Sequence, residues 1–171
     1  PGVEHALRTV MADTLGPDRA QLFFDRLADH FLAEDDIRYL ASLGATALRL
    51  PVNYRRLERD DAPFTYREDG FRRLAQAVSW CAAHGVYAII DLHAVQGWQN
   101  TDWHSDNGSR HALLWEHPHF QDRFVALWQE IARRFAGNTA VAGYNVMNEP
   151  FSGAPRGRLD VQSPPPNWDA V

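Results

Sequence analysis

Residues 32–44 read LAEDDIRYLASLG, and Ile37, Leu40, Ala41 and Leu43 recur there at the three- and four-residue spacing of a helix that buries one face. Glu34, Asp35 and Asp36 fall in its first turn, where carboxylates meet the positive end of the helix dipole, and Gly44 supplies a stop. The next stretch, residues 45–52, is short and mostly apolar, which predicts a strand buried on both faces and closed by Pro51. The same grammar returns in FRRLAQAVSWCAAHG, where Phe71, Leu74, Val78 and Cys81 form a stripe, Gly85 ends the helix, and VYAIIDLH follows as a strand. A third unit starts at Pro118, buries Phe120, Phe124, Leu127, Ile131 and Phe135, stops at Gly137, and continues into VAGYNVMNEP as its strand. Residues 1–31 are mixed in pattern and predict no clear element.

Helices alternating with continuous apolar strands imply a parallel sheet, because parallel neighbours need crossover connections and those crossovers cover the sheet. The class is α/β. Each predicted strand ends in polar residues: Arg49 and Asn53, then Asp91 and His93, then Asn148 and Glu149. A polar strand end is ordinary alone. Three on one side of a parallel sheet point to a shared site. Glu149 leads the candidates, because a half-buried carboxylate where an apolar segment stops costs desolvation energy unless something pairs or uses it.

Residues 94–116 are too long for a simple connector and carry Trp98, Trp103, His104 and Asp106 among glycines and amides. Indole faces beside amides suit a sugar, so Trp98, Trp103 and His104, with Asn53, are the candidate substrate-binding residues. For either tryptophan, packing the loop onto the rim is an equal alternative. Pro164, Pro165 and Pro166 predict a further loop, with Asn167 as the cap of a helix beyond it. No linker or internal sequence repeat divides residues 1–171, which read as a single domain.

Composition narrows the function classes. The chain is 45% hydrophobic and 12% aromatic, enough for a packed core. A formal net charge of -5 with scattered basic residues argues against a nucleic-acid partner. One cysteine, Cys81, excludes an internal disulfide, and no apolar run approaches the ~18 residues of a membrane span. The chain starts at Pro1, so its natural beginning is expected to lie elsewhere and localisation stays open. His93, His104, His111, His117 and His119 crowd the third unit, but none falls in an HExxH zinc motif; neither a catalytic metal nor another cofactor is expected.

RLPVNY, DLHAVQGWQN and YNVMNEP, in this order on consecutive strands, resemble glycoside hydrolase family 5, the cellulase-like retaining glycosidases of clan A. The resemblance runs from residue 32 to residue 150. It implies a (β/α)8 TIM barrel, of which about three units are present as strands two to four. A full barrel takes about 250 residues, so 171 residues imply an internal fragment truncated at both ends, without the strand that carries the second catalytic glutamate. By the same resemblance Glu149 is the general acid/base, Asn148 binds the sugar 2-hydroxyl, Arg49 holds the nucleophile ionised, and His93 lines the cleavage subsite. Gln96 stands where many relatives have proline, which touches loop shape.

The implied reaction is hydrolysis of the O-glycosidic bonds of a β-linked oligo- or polysaccharide or glycoside by double displacement. The alternative is a non-catalytic carbohydrate-binding or inactive fragment that lacks its nucleophile. Asp91 reads as structural, buried beneath the site, while Asp102 and Asp106 sit on a loop expected to be too flexible to hold a nucleophile. Three strands of a barrel also leave two open edges, which predicts poor solubility or self-association of the isolated chain.

Overall fold

The structure is a computed structural model and describes residues 2–151. The proline run and its helix cap at Asn167 lie outside the described residues. The chain begins with two helices, α1 (Glu4–Leu15) and α2 (Pro17–His30), before α3 (Glu34–Ser42) leads into β1 (Ala47–Asn53). Next come α4 (Glu68–Ala83), β2 (Tyr87–Ala94), α5 (Pro118–Phe135) and β3 (Val141–Asn145). Short 3-10 turns at Tyr54–Arg56, Trp103–Ser105 and Leu113–Trp115 shape the connections.

The strands form one parallel sheet in the order β1-β2-β3. The period of two along each strand separates its faces. Leu50, Ala88, Ile90 and Leu92 face the helices and join Phe71, Leu74, Val78 and Cys81 of α4 and Phe124, Leu127, Ile131 and Phe135 of α5 in one core. The predicted stripes are therefore the buried ones, with Phe120 only partly covered. On the opposite face lie Arg49, Asp91 and His93.

Two expectations need correction. The first strand neither stops at Pro51 nor is buried on both faces: β1 runs through Pro51 to Asn53, and only Leu50 in it is fully buried. Pairing with β2 continues through Pro51, which stands opposite Asp91, so the missing N–H does not end the strand. The opening region is also not featureless. α1 and α2 leave Leu7, Val10, Leu15, Leu22, Phe23 and Leu27 substantially exposed and bury only Ala20 and Phe24 of α2. Gly16 before Pro17 is the signal that predicts the start of α2, since proline fits the first helical position.

Pairing slips where the polar side chains gather. Val52 pairs with Leu92, but Asn53 pairs with Ala94, so His93 is the extra residue of a bulge-like irregularity. Such irregularities re-aim a side chain at a strand's end. Among the described residues no helix is long and apolar enough to cross a membrane.

Candidate active site

The site is built at the carboxyl end of the sheet, on the face opposite α4 and α5. Arg49 Nη2 lies 2.7 Å from Asp91 Oδ2 and donates to Asn148 Oδ1 at 2.6 Å. One guanidinium thus joins all three strand ends. Asp91 is fully buried, and its Oδ2 also lies 3.0 Å from His93 Nδ1. Arg49 Nη2 is also 3.4 Å from His93 Nδ1, but its two hydrogens go to the nearer Asp91 and Asn148 oxygens, so Nδ1 carries the proton shared with Asp91 and Nε2 is the remaining ring nitrogen. Asp91 has the structural, sub-surface position that the sequence assigns it.

After β3 the chain turns sharply. Asn148 is nearly buried, whereas Glu149 adopts φ 45 and leaves its side chain 48% exposed. A non-glycine residue in the left-handed region carries strain, which persists only where neighbours fix it. They do so through amides: Gln99 Nε2 donates to the carbonyl oxygens of His93 (2.7 Å) and Asn148 (3.0 Å), and Asn100 Nδ2 donates to that of Glu149 (3.0 Å).

The loop is consequently not the loose connector expected. Gln99, Asn100 and Asn107 are buried, and Asn107 Nδ2 reaches the carbonyls of Asn100 (2.6 Å) and His111 (2.9 Å). Gly97 is required at its bend: φ is 70, and a Cβ there would meet the Phe120 ring at 2.5 Å. Asp106, set aside as a nucleophile because its loop reads as flexible, is an anchor that holds the loop. It accepts from the His5 N–H (3.0 Å), Asn53 Nδ2 (3.1 Å) and Arg55 Nη1 (2.7 Å). Burial alone would raise its pKa, but these donors together hold the carboxyl below its ordinary value.

The predicted sugar contacts divide. Asn53 is drawn into the Asp106 anchor, and its Oδ1 caps the following turn through the Arg55 N–H. Trp98 gives its indole N–H to the Asp106 carbonyl at 2.9 Å, which ties it to the loop. Trp103 differs. It is 57% exposed and edge-on to His104, with ring centroids 6.0 Å apart. His104 Nε2 lies 3.1 Å from Glu149 Oε2 and 3.4 Å from Asp102 Oδ2. Asp102, His104 and Glu149 each offer one ligand-type atom, all within 4.8 Å of one another, a spacing a metal would admit. The loop amides Gln99 and Asn100 were not among the sequence candidates, and side-chain bonds to carbonyls leave no periodic signal. Gln96, the departure from proline, is buried and donates to the buried Glu58.

A sequence profile described as cellulase (glycosyl hydrolase family 5) matches residues 23–169. The chain belongs to this family. It is 44% identical over 150 residues to a β-xylosidase of Phanerodontia chrysosporium, covering 88% of this chain and 32% of that protein. It is 32% identical to cellodextrinase A of Ruminococcus flavefaciens, covering 71% of this chain and 34% of the relative. The chain thus spans about a third of the length of these relatives. Endo-glycoceramidase II from Rhodococcus sp. superposes on it with a TM-score of 0.58 at 22% identity, over 71% of this chain and 36% of that one. The fold is part of a (β/α)8 barrel, and the open face opposite α4 and α5 corresponds to the barrel interior.

Proposed function

We propose that residues 1–171 belong to a single barrel domain of a longer retaining glycosidase that hydrolyses β-linked glycans, with Glu149 as its general acid/base. The observation that carries this reading is the Arg49 bridge between Asp91 and Asn148, beside an outward-turned Glu149. Asn148, fixed at its carbonyl end, has its amide for the sugar 2-hydroxyl, and the exposed face of Trp103 serves as a stacking platform. In the first step the Glu149 carboxyl gives its proton to the leaving oxygen while a second carboxylate, from a later strand, attacks the anomeric carbon. Water then releases the sugar with Glu149 as base.

Residues 1–171 alone are proposed to be inactive. The two carboxyl groups of a retaining enzyme face the sugar about 5–5.5 Å apart. Asp102 is near Glu149, but its side chain is 8% exposed and packed beside His104, so a sugar does not reach it.

Glu149→Gln in the full-length parent tests the role. Loss of a positioned acid/base is expected to slow hydrolysis of an alkyl β-glycoside ~10²–10⁴-fold. A substrate with an acidic aryl leaving group needs no protonation, so its first step survives and added azide restores turnover by trapping the glycosyl-enzyme. Undiminished activity on the alkyl glycoside would remove Glu149 from the mechanism.

A further inference from the structure

His104 entered as a possible sugar contact, yet its ring nitrogens face protein groups. Its protonation pattern follows from a chain of donors. Arg49 can only donate, so the 2.6 Å contact fixes Asn148 Oδ1 as the acceptor and turns the amide Nδ2 the other way. That Nδ2 lies 3.5 Å from His104 Nδ1. An amide NH2 is also only a donor, so Nδ1 is left as the lone-pair nitrogen and the ring proton belongs on Nε2.

Nε2 is sealed from solvent and lies between two carboxylates, 3.1 Å from Glu149 Oε2 and 3.4 Å from Asp102 Oδ2. Its N–H meets neither oxygen head-on, so a small rotation of the ring decides which of them receives it. The Asp102 side chain is 8% exposed and that of Glu149 48%, so one carboxylate is walled in and the other opens to the cleft.

We infer that His104 is a positioning residue for the acid/base, held by Asn148 as the Nε2–H tautomer and shared between Asp102 and Glu149. While Glu149 carries its proton, the N–H serves Asp102. As the Glu149 O–H bond breaks and its proton passes to the glycosidic oxygen, the new carboxylate draws the same N–H. No His104 bond is broken and no second proton moves. The contact to Glu149 is stronger in the transition state than in the ground state, which is the condition for accelerating the chemical step. The tautomer also opposes the use of Asp102, His104 and Glu149 as a metal site, because a ligating Nε2 would need Nδ1 to carry the proton against the Asn148 amide.

The inference rests on the acid/base reading for its kinetic consequence, but the tautomer is tested without it. Long-range ¹⁵N–¹H correlation on the full-length parent is expected to show the His104 ring proton on Nε2 with Nδ1 as the lone-pair nitrogen, and zinc titration is expected to show no binding that depends on His104. In the full-length parent, His104→Ala is expected to lower kcat on an alkyl β-glycoside ~10–100-fold, the span of a hydrogen bond to a charged group, with KM little changed. The loss should shrink to a few-fold on an aryl substrate with an acidic leaving group, and His104→Gln, which keeps an N–H, should recover part of it. If His104→Ala fails to fold, His104→Gln and Asp102→Asn carry the same leaving-group comparison. An Nδ1–H tautomer, equal losses on both substrates, or stoichiometric zinc lost in His104→Gln would overturn the inference. Full activity of Glu149→Gln would instead sink the acid/base role while leaving the tautomer standing.

Discussion

Alternate residues of β2 live in two different solvents. Ala88, Ile90 and Leu92 are wholly buried against α4 and α5, whereas on the other face Tyr87 is 54% exposed and Ile89 partly so. The buried part of that second face is ionic: Asp91 Oδ2 lies 2.7 Å from Arg49 Nη2 and 3.0 Å from His93 Nδ1. Removal of apolar area from water holds the helix side, and it tolerates no polar atom without a partner. The other side depends on geometry among a few charges. The same strand therefore supplies a rigid apolar wall and a charged, polar surface, and the two should respond to mutation in different ways.

The largest effect on stability belongs to the wall. Leu92→Ala removes a side chain with no exposure and is expected to cost about 2–5 kcal/mol in urea unfolding. Tyr87→Ala, one period of the other face, should stay within about 0.5 kcal/mol. Equal losses would mean that the face opposite α4 and α5 is covered in solution, for instance by a second copy of the chain across its open edges.

A smaller effect belongs to the charges. Arg49→Met leaves the buried Asp91 with one ring contact and frees Asn148, so an expected ~1–3 kcal/mol reflects the desolvated carboxylate rather than lost packing. Asp91→Asn should lower the cost of that change. The double variant is expected to be milder than the sum of the two single variants by ~0.5–3 kcal/mol. Strict additivity would separate Arg49 from Asp91 and leave the charged face without its organising bridge.

How much of this was legible depended on periodicity. The stripes Phe71, Leu74, Val78, Cys81 and Phe124, Leu127, Ile131, Phe135 stood out because each faces one continuous core. α1 and α2 are less plain: Ala20, Phe23, Phe24 and Leu27 do recur at helical spacing in α2, but no apolar strand follows directly to complete a unit, and α1 buries no residue. At the site, Arg49, Asp91, His93, Asn148 and Glu149 were visible as polar breaks in apolar strands, and the structure brings them to one end of the sheet. The loop was misread as flexible because its order comes from Gln99, Asn100 and Asn107 bonding to carbonyls, and amide-rich sequence looks the same whether such bonds form or not. The Asp106 anchor is invisible for a related reason: its partners His5, Asn53 and Arg55 lie on distant or irregular segments that no spacing rule connects, so Asn53 reads as a free cleft group.

The smallest effect concerns that anchor, and it tests whether the loop belongs to the wall or to the charged surface. The Asp106 carboxyl is held below its ordinary value because the His5, Asn53 and Arg55 donors outweigh burial. A carboxylate depressed in the folded state contributes stability at pH above its unfolded value, about 3.9, and loses that contribution as pH falls through the folded value. Acidification below about pH 4 should therefore weaken the fold, and Asp106→Asn should flatten that slope, by no more than the ~1.4 kcal/mol per pH unit that one proton can carry. Asp60 and Glu130 are depressed as well, so part of the slope will persist in the variant. Hydrogen exchange of the Ser105 and Asp106 backbone N–H groups, which donate to the Asp102 and Trp103 carbonyls, identifies what the anchor holds when followed over the same pH range. If Asp106 ties the loop to the body of the fold, those amides should lose protection before the global transition as the carboxyl protonates, whereas loss only alongside that transition would mean that the loop's own amide bonds, not Asp106, keep it in place.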